Sequence, residues 1–153
     1  MTHNSSIKEQ SLNPRPGGRV PAPASIAELD DRVLAAVHAA AEKKAFDVVV
    51  LDLREIASFT DYFVITSGAN ERQVQAIADE VYESLKKSGE AAARMEGYKS
   101  AEWVLLDYGD FVVHVFEQKA RQFYDLERLW RESKRVVLPA EFSGEGSSLR
   151  RES

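Results

Sequence analysis

The sequence predicts one α/β domain in which a single mixed β-sheet packs against helices. Three features predict it. Asp47-Val48-Val49-Val50-Leu51-Asp52-Leu53 and Tyr62-Phe63-Val64-Ile65-Thr66 are apolar runs of strand length, as expected of strands buried on both faces. Amphipathic helical patterns lie before and after this pair. Residues 103–117, WVLLDYGDFVVHVFE, form two strand-like runs around Asp107-Tyr108-Gly109-Asp110, which is hairpin chemistry: glycine tolerates positive φ, and aspartate bonds neighbouring backbone amides.

Composition sets the outer limits. A chain of 153 residues supports one domain with a real core, and 44% hydrophobic with 29% charged residues is ordinary for a globular protein. Without cysteine, disulfides, zinc-thiolate sites and cysteine nucleophiles are excluded. No apolar run approaches the ~20 residues a membrane helix needs, and the N-terminus has no signal-peptide hydrophobic region, so a cytoplasmic location without membrane contact is expected. Residues 25–138 carry 15 Lys+Arg against 21 Asp+Glu, a net of −6. A phosphate backbone would repel such a domain, so direct nucleic-acid binding is not expected and a basic protein partner is favoured.

In chain order, residues 1–24 hold Pro14, Pro16-Gly17-Gly18, Pro21 and Pro23 with few large apolar side chains, and are expected to be a disordered extension. Ser25 and Glu28 have capping-box spacing. Leu29, Val33, Val37 and Ala40 then mark the buried stripe of a first helix ending near Lys44. After the two apolar strands, Ser67-Gly68 is a break. Asn70 caps a second helix, with Gln73 in the reciprocal position, Val74, Ile77, Ala78, Val81 and Leu85 as its stripe, and Gly89 at its end.

Residues 92–96 form a short strand before the hairpin. Within the hairpin, the turn centres on Tyr108-Gly109 or on Gly109-Asp110. Either way, Val104, Leu106, Tyr108, Phe111, Val113 and Val115 share one apolar face, and Trp103, Leu105, Asp107, Val112, His114 and Phe116 share the other. A final helix over 121–133 docks Phe123, Leu126, Leu129 and Trp130 onto the sheet. Residues 139–153 are expected to be a disordered tail.

Enzymatic readings are weak. Ser67-Gly68 before a helix start could hold a phosphate, but no glycine-rich fingerprint is present and no lysine sits beside the turn. Asp47, Asp52, Asp107 and Asp110 lack the spacing of paired magnesium-binding carboxylates on one strand face. His114 shares a face with Asp107, which could orient it, yet a lone strand histidine is more often a packing residue. His38 and Glu42 are one helical turn apart with no third metal ligand nearby. The hairpin offers another chemistry: an aromatic, Trp103, ringed by Glu96, Glu102, Asp107 and Asp110 suits a basic protein partner. Core packing of Trp103 with solubilising carboxylates fits the residues equally well.

Several motifs together resemble one family. Asp61-Tyr62-Phe63-Val64-Ile65 with Ser67-Gly68, the run from Ala101 through Asp110, His114-Val115-Phe116, and Phe123-Tyr124-Asp125-Leu126-Glu127-Arg128-Leu129-Trp130 resemble the Iojap family, whose bacterial members are the ribosomal silencing factors, RsfS. The resemblance spans about residues 25–133. It implies a nucleotidyltransferase-like fold without the catalytic carboxylates, no cofactor, and no enzymatic activity. It further implies a protein that binds the large ribosomal subunit through its L-fourteen protein and blocks joining of the small subunit, repressing translation when nutrients are short. Organelle relatives act in large-subunit assembly.

Carried onto this chain, the resemblance puts partner binding on Trp103, Val104, Leu105, Asp107, Tyr108, Gly109 and Asp110, with Glu96 and Glu102 adding charge. Tyr108 stands where many members place an aliphatic residue. An apolar hairpin face left uncovered in the free protein would favour a self-paired dimer.

Overall fold

The computed structural model of the chain describes residues 6–14, 30–139 and 142. Its centre is one mixed six-stranded sheet in the order β3-β4-β5-β2-β1-β6. The strands are β1 (Phe46–Asp52), β2 (Tyr62–Gly68), β3 (Arg94–Glu96), β4 (Trp103–Asp107), β5 (Phe111–Glu117) and β6 (Lys134–Val136). All neighbours pair antiparallel except β2 and β5, which run parallel with Val64 beside Val113 and Ile65 beside His114. A parallel pair needs a crossover. Here the chain crosses through α3 (Glu71–Lys87). The sheet with its flanking helices is the architecture the sequence predicts.

Both faces of the sheet are covered. One face packs under α2 (Asp31–Glu42) and α3, burying Val33, Val37, Ala40 and all five stripe residues of α3 with Val104, Leu106, Phe111, Val113 and Val115. The α3 cap forms as expected, Asn70 accepting from the Gln73 amide at 2.9 Å, while the Gln73 side chain accepts from Ala69 rather than from the cap residue itself. Asp30 caps α2 by accepting from the Arg32 amide, and Ser25 and Glu28 lie outside the described residues.

The opposite face buries Leu51, Phe63, Ile65, Trp103, Leu105, Val112 and Phe116 beneath α1 (Ile7–Leu12), α4 (Gln118–Tyr124) and α5 (Leu126–Leu129). The period-two sorting of the hairpin residues is therefore correct, and both sets face core.

Three segments differ from the sequence expectation. Residues 7–12, expected to be disordered, form α1. Ser6 and Glu9 make a complete capping box there, and Trp130 donates its indole N–H to the Ser11 carbonyl at 2.6 Å. The single helix expected over 121–133 starts earlier and is broken at Asp125, which adopts φ 49° and splits it into α4 and α5. In consequence Phe123 points outward, 79% exposed, while Leu126 and Trp130 do reach the sheet. Finally, Lys134–Val136 adds an edge strand beside β1, which the sequence reading left unassigned.

Candidate partner-binding surface

Phe111 pairs with Tyr108 across the hairpin, so the turn centres on Gly109-Asp110, with Gly109 at φ 84°. A left-handed conformation at this step is what glycine permits. Asp107 accepts from the Gly109 amide at 2.8 Å, and Thr60 donates its hydroxyl to the Gly109 carbonyl at 2.9 Å. The Asp110 carboxylate accepts from Arg32 at 2.8 Å, although its side chain remains 65% exposed. Arg32 also pairs with Asp30 at 2.7 Å and lies 5.4 Å from the Phe111 ring centre. Hydrogen bonding by Asp30, then by Asp110, holds the Arg32 guanidinium charged, and the hydrogen bond from Arg32 lowers the Asp30 carboxyl. Nearby, burial and the Asp110 charge push the Asp61 carboxyl up. The turn is thus a braced acidic corner.

The strand behind the turn is not a surface. Trp103 is 4% exposed and Val104 and Leu105 are fully buried. Trp103 donates its indole N–H to Nδ1 of His114 at 3.0 Å and stacks on Phe116 with ring centres 5.0 Å apart. His114 is itself fully buried, and burial, reinforced by the charges of Lys8 and Arg121, lowers its pKa to about 3. Asp107, the partner the sequence suggested for it, is occupied with the turn amide instead. Tyr108 is 8% exposed, stacked on Phe111 at 4.8 Å, with its hydroxyl pushed up by burial. A tyrosine in this place fills core rather than presenting a contact.

The remaining acids lie toward the other end of the same sheet edge. Glu96 pairs opposite Leu105 in the ladder, and Glu102 is exposed just before β4. β3 covers only Leu105, Leu106 and Asp107, so the outward carbonyl of Trp103 is free of the ladder. Lys8 of α1 takes it, donating at 2.9 Å with its ammonium 4.7 Å from the Trp103 ring centre. Burial lowers the Lys8 pKa while Glu96 and Glu102 oppose that shift. The chain passes this carbonyl only because Gly97, at φ 82°, has no side chain: a Cβ there would run into the Trp103 oxygen.

The Ser67-Gly68 turn is built for structure. Ser67 is buried and its hydroxyl accepts from Arg121 at 2.8 Å, and Arg121 is paired with Glu127 at 2.7 Å. Beyond it, an open cleft of about 960 Å³ lies between the start of α3 and α4, lined by acids Glu71, Glu102 and Glu117 as well as by Arg72 and Lys119. Among the described residues, no group of three His, Asp or Glu side chains could hold a metal ion, and no helix is long and apolar enough to cross a membrane.

With this geometry established, comparison with known proteins is decisive. Residues 26–152 match the model of the family described as ribosomal silencing factor during starvation. The chain belongs to this family. Among its relatives, the ribosomal silencing factor RsfS of Halalkalibacterium halodurans is 46% identical over 103 residues, 67% of this chain and 88% of that protein. The Bacillus subtilis RsfS is 44% identical over 62% of this chain and 80% of its own length. A mouse protein named mitochondrial assembly of ribosomal large subunit protein 1 is 32% identical over 58% of this chain and 40% of its own length. Two crystal structures share the fold. One from Chromobacterium violaceum has TM-score 0.65 at 35% identity, covering 71% of this chain and 88% of its own; one from Bacillus halodurans has TM-score 0.64 at 44% identity, covering 71% and 98%.

Of the nine silencing-factor positions marked from sequence, Asp107, Gly109, Asp110, Glu96 and Glu102 have surface to offer. Trp103 and Leu105 are buried under α1, α4 and α5, and Val104 and Tyr108 on the face under α2 and α3, so these four are core positions in the free chain. Sequence reasoning missed Lys8 and Arg32, whose partners lie 95 and 78 residues away. For Lys8 a signal existed: Ser6-Ile7-Lys8-Glu9 is itself a capping-box pattern.

Proposed function

We propose that the chain is a non-enzymatic translational repressor. It binds the large ribosomal subunit through the L-fourteen protein and, by occupying that surface, prevents association with the small subunit when nutrients are limiting. The observation that carries this reading is family membership across residues 26–152, with relatives named as silencing factors. Mechanism by occupancy needs no catalytic group, and it places the action wherever ribosomal subunits are.

The contact surface we infer is the β3–β4 edge and its turn, where Glu96, Glu102, Asp107 and Asp110 are available to a basic partner. β4 has five residues, which span about 17 Å, well within one standard interface. An assembly role on the same large subunit is the second reading, favoured by the name of the mouse relative. The argument for a self-paired dimer loses its premise, since both hairpin faces are covered within one chain.

Calorimetric titration of the chain with isolated L-fourteen protein tests the contact. Saturable binding that weakens as salt rises supports it, because exposed charges are screened within about 10 Å at 0.1 M. No heat and no complex at low salt would refute it.

A further inference from the structure

α1 is a short segment, neutral overall with Lys8 and Glu9, whose lysine is already seated on the edge just described. Its apolar residues Ile7 and Leu12 pack against the Trp103–Trp130 cluster, and the Ser11 carbonyl accepts from the Trp130 indole at 2.6 Å. Its single cation, Lys8, uses three features at once: the Trp103 carbonyl left open by the short β3, the Trp103 ring, and the field of Glu96 and Glu102. These are the features a lysine or arginine of a basic protein would use at that place. At this one position the cation, the open carbonyl, the ring and the acids are therefore complementary.

We propose that the β3–β4 edge at Trp103, Glu96 and Glu102 is a docking site for a lysine or arginine side chain, that Lys8 of α1 fills it in cis, and that α1 leaves when a cationic side chain of the basic large-subunit protein takes its place. This rests on the reading that the partner is basic and binds this edge. Because α1 belongs to the same chain, its contact is intramolecular, and a weak contact can compete with a partner. α1 would thereby set the threshold for binding, because apparent affinity falls by the fraction of molecules in the open form.

The full-length chain can be compared with full-length Lys8→Ala and Ile7→Ser/Leu12→Ser. Amide hydrogen exchange over residues 7–12 reports docking of α1 without any partner, and unchanged protection in β2 and β5 shows that the body stays folded. Sedimentation with purified large subunits reports binding. The double variant keeps the net charge, so tighter binding by it cannot come from added attraction.

Both variants are expected to lose protection at 7–12 and to bind large subunits more tightly, by about tenfold if the wild type is open one-tenth of the time. Equal or weaker binding once α1 is released overturns the inference. So does protection at 7–12 that survives both substitutions. Absence of binding by wild type and variants alike would instead overturn the ribosome-binding reading itself, and this inference with it.

Discussion

Trp103 donates its indole N–H to Nδ1 of His114 across the β4–β5 pair, at 3.0 Å and out of reach of solvent. The bond selects the tautomer: with Nδ1 accepting, the imidazole proton sits on Nε2. That nitrogen has no hydrogen-bonding partner among the described residues, and the ring meets Phe63 edge-on with centres 4.4 Å apart. A polar pair inside an aromatic layer therefore replaces the exposed aromatic anchor that the sequence made attractive.

Trp103→Ala is expected to act on stability. It removes a buried indole and leaves His114 Nδ1 unpaired, a loss of about 3–5 kcal/mol by analogy with large-to-small aromatic truncations. Urea unfolding measures this. A midpoint within about 0.5 kcal/mol of wild type would show that the aromatic layer is not the core it is taken to be. Any loss of ribosome binding by this variant would therefore report on folding first.

His114 predicts a specific acid sensitivity. Its folded pKa is depressed to about 3 from the ordinary 6.5, so below pH 6.5 the unfolded chain takes up a proton that the folded chain refuses. Its contribution is complete above pH 6.5 and is lost as pH falls toward 3, by up to about 1.4 kcal/mol per unit. Between pH 6.5 and 5, above the lowered Asp30 carboxyl, this histidine makes stability fall as pH falls, whereas the raised Asp61 carboxyl acts in the opposite direction. His114→Gln, which keeps an acceptor for Trp103, should flatten the pH dependence of the unfolding midpoint in that interval. A slope identical to wild type would contradict the assignment.

Two glycines offer a matched test of the β4 edge. Gly97 and Gly89 both have positive φ, at 82° and 97°, yet a Cβ meets nothing near Gly89 and meets the Trp103 carbonyl at Gly97. Gly89→Ala should cost only the left-handed penalty, about 1–2 kcal/mol. Gly97→Ala should cost clearly more and should also release Lys8, seen as faster exchange over residues 7–12. Equal costs would mean the edge yields without penalty.

The exposed acids should separate binding from folding. Asp110→Asn keeps the hydrogen-bond geometry toward Arg32 and removes a charge from a mostly exposed site, so the unfolding midpoint should move by no more than about 1 kcal/mol. Binding to the isolated L-fourteen protein should weaken and its salt dependence should become shallower. Unchanged affinity and unchanged salt slope would remove the turn from the interface.

Much of this was legible in the residues. The five-residue stripe of α3 follows from 3.6-residue periodicity, and the two hairpin faces from period-two alternation, because each depends only on neighbours in sequence. Part of what covers the second face was legible, since the final helix brings Leu126 and Trp130 onto it as its periodicity suggests, but α1 was not. The covering helix lies in a proline- and glycine-rich region where composition argued for disorder, and its contacts to Trp103 and Trp130 span the whole chain. The same limit hid Arg32, whose bond to Asp110 depends on tertiary placement. The break at Asp125 turned Phe123 outward because an aspartate can adopt the left-handed conformation that ends one helix and starts another.

The most direct test of the central claim is sedimentation of purified ribosomal subunits, joined in the presence and absence of the wild-type chain. The account predicts that the chain travels with the large subunit and that the peak of joined ribosomes falls as the chain is added. A chain that stays at the top of the gradient while joined ribosomes form undiminished would contradict it.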